Sequence, residues 1–88
     1  MSDTIEAMKR RLALLAPEHI EIADESALHA GHAGARAGGG HYQLTLISPS
    51  FSGQSQVARH RAIYQALGDL MSTRVHALSI TALAPEEL

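Results

Sequence analysis

The sequence predicts an α+β domain, a three-stranded mixed sheet with helices packed on one face, in the order helix, strand, strand, helix, strand. Three observations carry this reading. Apolar residues recur at helical spacing in two stretches, they alternate at strand spacing in three others, and proline or glycine punctuates the joins between them. With 88 residues the chain can build one core but not two, so residues 1–88 are read as a single domain. Its 45% hydrophobic and 18% charged content is that of a globular chain rather than a disordered one.

Asp3 followed by Glu6 opens the first helix in the manner of a capping box. Ile5, Met8, Leu12 and Leu15 then recur along one face until Pro17 stops the run. Lys9, Arg10 and Arg11 fall toward the end of that helix, where cations oppose its negative terminus. Residues His19 to Asp24 alternate, with Ile20 and Ile22 on one face, and Tyr42 to Ser48 do the same through Tyr42, Leu44 and Leu46. Between these strands, Glu25 to His41 is rich in glycine and alanine and poor in apolar anchors, which predicts a mobile connection.

Pro49 and Ser50 break the second strand, Gly53 sits in a turn, and a long helix begins near Ser55. Val57, His60, Tyr64, Leu67 and Met71 lie on one stripe of it, widened by Ile63 and Leu70, which predicts the core-facing side. Val75 to Thr81 reads as the last strand. Strict alternation would put His76, Leu78 and Ile80 on one face and Val75, Ala77, Ser79 and Thr81 on the other. Pro85, Glu86 and Glu87 follow as a frayed tail or a helical stub. The crossover from the second strand through the long helix to the third favours a parallel pair, whereas the first two strands suit an antiparallel one.

Several function classes fall away at this point. There is no cysteine, so disulfides, thiolate nucleophiles and self-sufficient cysteine-ligated metal sites are excluded. Any metal must be held by histidine or carboxylate, or through thiolates borrowed from a partner. No nucleophile with a positioned base, phosphate-binding loop or paired-carboxylate signature is present, so an enzyme is not expected. With neither a basic, apolar leader nor a membrane-length apolar run, the chain is read as cytoplasmic and away from membranes. The net charge of −2 disfavours a general nucleic-acid binder. Six histidines remain to be explained.

Four fragments then resemble one known family in order and spacing across nearly the whole chain. They are Asp24-Glu25-Ser26 with His29, Phe51-x-Gly53, Arg59-His60-Arg61-x-x-Tyr64-x-x-Leu67, and Val75-His76-Ala77-Leu78-Ser79-Ile80. Together they resemble the BolA family. That resemblance implies a fold similar to class II KH domains and association with monothiol glutaredoxins bearing a Cys-Gly-Phe-Ser active site. It also implies a [2Fe–2S] cluster shared with glutaredoxin and glutathione, with none expected in the isolated chain.

By the same resemblance His76, in the Val-His-Ala-Leu motif, is a cluster ligand, and the second ligand comes from the connection after the first strand. His29 is the best positional match, His41 competes with it, and His32 is a lesser candidate. Imidazole can replace thiolate on one iron of a [2Fe–2S] centre, which raises its potential and leaves a ligand that protons can displace. Such a site suits transfer or sensing.

For His76 the alternative is a structural histidine at a strand start. For His29 it is an exposed loop residue. His60, on the apolar stripe, is read as a packing residue, and His19 as solvated.

DNA binding in a transcriptional regulator is the second functional reading, because the KH-like architecture implied by the resemblance is associated with nucleic acids. The KH clamp is a Gly-x-x-Gly loop. The matching region here, Phe51 to Ser55, lacks one glycine, and Arg59, Arg61 and Arg74 are the candidate phosphate contacts.

Overall fold

The computed structural model describes residues 3–25 and 40–88. The expected mobile connection falls mostly on residues outside that description, as do His29 and His32. Helix α1 spans Asp3–Leu12, with Asp3 and Glu6 in its first turn and Lys9, Arg10 and Arg11 in its last, matching the helix dipole at both ends. It tightens into a 3₁₀ turn over Ala13–Leu15 and stops where Ala16 adopts a left-handed backbone at φ 50°. Pro17 then bars its continuation.

Strand β1 (His19–Asp24) pairs antiparallel with β2 (Gly40–Ile47), running from His19 opposite Ile47 to Asp24 opposite Tyr42. Strand β3 (Val75–Leu83) lies parallel to β2 on its other side. The sheet is therefore three-stranded and mixed, in the expected α+β arrangement. Strand β2 begins two residues before the alternating Tyr42 run, which moves His41 from the connection into the sheet.

The central strand carries the core, with Tyr42, Leu44 and Leu46 all buried. Met8 and Leu12 of α1, and Ile63 and Leu67 of helix α2 (Gln56–Leu67), pack on that face together with Phe51, Val75 and Ala82. Burying side chains of this size contributes about 1.5–3 kcal/mol each, which is why one helix-covered face suffices. Ser55 caps α2, its hydroxyl accepting from the Ala58 N–H at 3.1 Å. The long helix does not run through to Met71 as the stripe suggested. It breaks at Gly68, whose φ of +54° leaves the helical region, and restarts as the short α3 (Leu70–Thr73).

The core-facing side of α2 is also rotated from the expected stripe. Arg59, Ile63 and Leu67 point inward, while Val57 and Tyr64 are 66% and 42% exposed and His60 is only half-buried. The cause is Arg59. Its Nε donates to the Gln54 carbonyl at 3.0 Å, its Nη1 donates to the Ala82 carbonyl at 3.0 Å, and the guanidinium grips Glu87. A residue that sequence logic assigns to solvent therefore occupies a core-facing position. The terminal Pro85–Glu87 segment is a 3₁₀ turn that delivers Glu87 to it.

Candidate metal centre

The two histidines that the described structure brings together are His41 and His76. Their ring centroids are 5.2 Å apart with the planes tilted by 49°. The pair is made by an irregularity in the parallel ladder: Gly40 faces Val75, but the next residue of β2, His41, faces Ala77. One residue of β3 is thus extra, and it is His76. A β-bulge of this kind bends a strand and re-aims a side chain, and bulges concentrate beside functional sites.

The bulge also corrects the expected alternation of β3. Val75 is buried on the same side as Leu78, Ile80 and Ala82, although simple parity would place it opposite Leu78 and Ile80. His76, at the step between the two registers, is exposed. His41 shares the parity of Gln43 and Thr45, on the sheet face away from the helices, and its Nε2 is buried. One imidazole of the pair is thus open to a partner and the other is sheltered.

The backbone around the pair is tied on both sides. The His41 carbonyl accepts from the Glu25 N–H at 2.7 Å, and the Gly40 N–H donates to the Arg74 carbonyl at 3.0 Å. Gly40 itself is required by crowding. A Cβ there would stand 2.5 Å from Cε2 of the Tyr42 ring, which lies back over Gly40 and is almost wholly buried. The glycine lets a core tyrosine sit two residues along from the start of the strand and so fixes where His41 emerges.

Two imidazoles that share one tetrahedral metal, with metal–nitrogen bonds of about 2.0–2.1 Å, have ring centres roughly 5 Å apart. The observed spacing fits that arrangement. Among the described residues no group of three His, Cys, Asp or Glu side chains is placed to hold a metal, so the described part of the chain offers two imidazoles and no closed site. A cluster or ion held here needs further ligands. The family-implied site residues are thus distributed as follows: His76 on β3, His41 on β2 rather than in the connection, and His29 outside the described residues.

The three arginines named for phosphate contact do not form one surface. Arg59 is buried and bidentate to Glu87, with both N–H···O contacts at 2.6 Å. Arg61 lies on the outward side of α2, and Arg74 lines a polar cleft with Arg10, Arg11 and Asp69 between α1 and α3. The turn joining two α-helices is Gly68–Asp69, not the Phe51–Ser55 region, and it is closed by charge: Arg11 Nη1 meets Asp69 at 2.8 Å and donates to the Leu67 carbonyl at 3.0 Å. The hydrogen bond from Arg11 holds the Asp69 carboxyl below its ordinary range. A phosphate would meet a carboxylate there.

Sequence reasoning missed Glu87, which it left in a tail, and the bulge at His76. Pro85 at the first position of a short turn was the available signal for the former. Nothing in a one-residue pattern announces the latter.

A family model described as "BolA-like protein" matches residues 12–87. The chain is 43% identical over 79 residues to the SufE-like protein 1, chloroplastic/mitochondrial, of Arabidopsis thaliana, covering 84% of this chain and 21% of that one. It is 38% identical over 68 residues to the DNA-binding transcriptional regulator BolA of Escherichia coli, covering 77% of this chain and 62% of the relative. The chain thus spans about a fifth of the first relative and under two thirds of the second. Among solved structures, the BolA domain of SufE1 from Arabidopsis thaliana superposes with a TM-score of 0.85 at 36% identity, over 100% of this chain and 99% of that one.

Proposed function

The chain belongs to the BolA-like family, and from that premise we propose that it co-ligates a shared [2Fe–2S] cluster with a monothiol glutaredoxin of the Cys-Gly-Phe-Ser type. The observation that carries the reading is the His41–His76 pair, two imidazoles whose ring centroids lie 5.2 Å apart in a chain without cysteine. Their number supports a shared centre, because the missing ligands would be thiolates from glutaredoxin and glutathione. When bound, the cluster supplies one-electron chemistry and a transferable iron–sulfur unit, and imidazole ligation of one iron raises its potential.

The chain's own residues divide the work. His76, exposed at the bulge, presents its ring to the partner, while His41 is held from both strands and backs it. His29 is the competing second ligand. Protonation of either ligating ring would release its nitrogen, which suits cluster assembly, trafficking or iron and redox sensing better than permanent storage. No catalytic role is proposed. The reading sets the protein in the cytoplasm, where partner thiols stay reduced. Among the described residues no helix is long and apolar enough to cross a membrane.

The test is reconstitution of the chain with a monothiol glutaredoxin, glutathione, iron and sulfide, followed by visible absorption and circular dichroism. A mixed nitrogen–sulfur spectrum absent from either protein alone is the expected result. A spectrum identical to that of the glutaredoxin homodimer would overturn the reading. The relative named a DNA-binding transcriptional regulator favours a second reading, in which the chain binds DNA. With Arg59 committed to Glu87, that reading now rests on Arg61 and Arg74, and it expects weak binding that fades steeply with salt.

A further inference from the structure

The side of α2 turned away from the core carries an apolar stripe that the cluster reading does not use. Val57, His60, Arg61 and Tyr64 follow one another at helical spacings of three, one and three residues, and with Gln65 they line a shallow groove of about 500 Å³. Val57 and Tyr64 are large and substantially exposed. Seven residues separate them, two turns or roughly 10 Å along the helix axis.

Charge selects the occupant. Helix α2 contains no acidic residue, Arg59 is neutralised by Glu87, and Arg61 makes no ion pair among the described residues, so the groove presents a single uncompensated guanidinium between two apolar contacts. A second copy of the chain is disfavoured. Arg61 is the midpoint of the 57–65 stretch, so two-fold pairing, parallel or antiparallel, would set one guanidinium against another. Nucleic acid is disfavoured too, since phosphate affinity grows with the number of cations and the lining is mainly apolar.

We infer that this face of α2 docks an acidic amphipathic helix of a partner protein, one presenting bulky apolar residues seven apart to Val57 and Tyr64 and a carboxylate between them to Arg61. Helix-in-groove recognition of this kind reads apolar anchors at helical intervals. The face lies on α2's outward side, so this interaction is independent of the histidine pair on the sheet.

The test uses the full ¹⁵N-labelled chain and a capped, alanine-based helical peptide of roughly 15 residues, with leucines seven apart and glutamates flanking them. A peptide with lysine in place of glutamate, an oligothymidylate and the chain alone at increasing concentration serve as comparisons. Saturable shifts of the residue 57–65 amides with the acidic peptide are expected. Arg61→Glu should weaken that binding by about tenfold or more and make the lysine peptide the tighter ligand, and Val57→Ser should weaken both peptides alike. The inference is overturned by shifts that do not saturate or fall elsewhere, or by an Arg61→Glu variant that keeps its preference. Self-association through the same residues, or an oligothymidylate that outcompetes the peptide there, would also overturn it.

Discussion

Arg59 and Glu87 link the start of α2 to the last turn of the chain: a guanidinium from the first turn of α2 holds both carboxylate oxygens of Glu87, each at 2.6 Å. The hydrogen bond from Arg59, followed by that from the Ala84 N–H, pulls the Glu87 carboxyl from 4.5 down to about 2. A depressed carboxyl stabilises the fold above its unfolded value and loses that contribution as the pH falls through its folded value. Thermal unfolding should therefore show an acid loss between about pH 4.5 and pH 2 that Glu87→Gln abolishes. At neutral pH the same substitution should lower the melting temperature by several degrees, because Arg59 keeps its buried charge and loses its partner. An unchanged acid limb in Glu87→Gln would show that other carboxylates govern it.

Gly40→Ala should destabilise the domain by about 1–3 kcal/mol, the usual cost of forcing extra volume into a packed site. Its Cβ cannot coexist with the Tyr42 ring where that ring now lies. Chemical denaturation checks the magnitude. Gly40→Ala with Tyr42→Leu should recover part of the loss, since the smaller side chain vacates the space, and additive losses would refute the crowding account.

Ala16→Gly should have the opposite sign. Ala16 ends the first helix at φ 50°, a region where a Cβ is costly and glycine is at ease. The relief is partly offset by the greater freedom of glycine in the unfolded chain, leaving a net gain of roughly 0.5–1 kcal/mol in denaturant midpoint experiments. A loss would mean that the left-handed turn is not maintained in solution.

What could be read from the sequence, and what could not, follows from the reach of each pattern. The alternation of Tyr42, Leu44 and Leu46 marked the central strand because both neighbours bury the same face, so period two survives intact. The α2 stripe was read correctly at Ile63 and Leu67 but rotated toward Val57 and Tyr64, because hydrophobicity alone places Arg59 in water, and its burial depends on the Gln54 and Ala82 carbonyls and the distant Glu87. His76 stood out in the sequence as a candidate through its motif, but its approach to His41 depends on the bulge, a relation between two strands 35 positions apart that no local pattern contains. The assignment of His41 to the connection failed by two residues because glycine 40 lacks the strand-forming character that would have marked the strand's start.

The histidine pair gives the last prediction, and it separates rigid from accessible ligands. His76 is exposed, so His76→Ala should leave the melting temperature within about a degree or two of the parent, as surface substitutions do. If it is the ring presented to the partner, the same variant should abolish the mixed-ligand spectrum of the reconstituted complex with glutaredoxin. His41→Ala removes a ring with a buried nitrogen, so it should both cost stability and shift the spectrum, whereas His29→Ala should shift the spectrum without loss of stability if the connection supplies the second ligand. The two single variants therefore distinguish the competing second ligands by one optical and one thermal measurement. In the parent complex, acidification into the range where free imidazole takes up a proton should bleach the cluster, because a ligating nitrogen must be unprotonated. Retention of the parent spectrum and acid sensitivity in His76→Ala would remove this histidine from the centre and with it the cluster-sharing role.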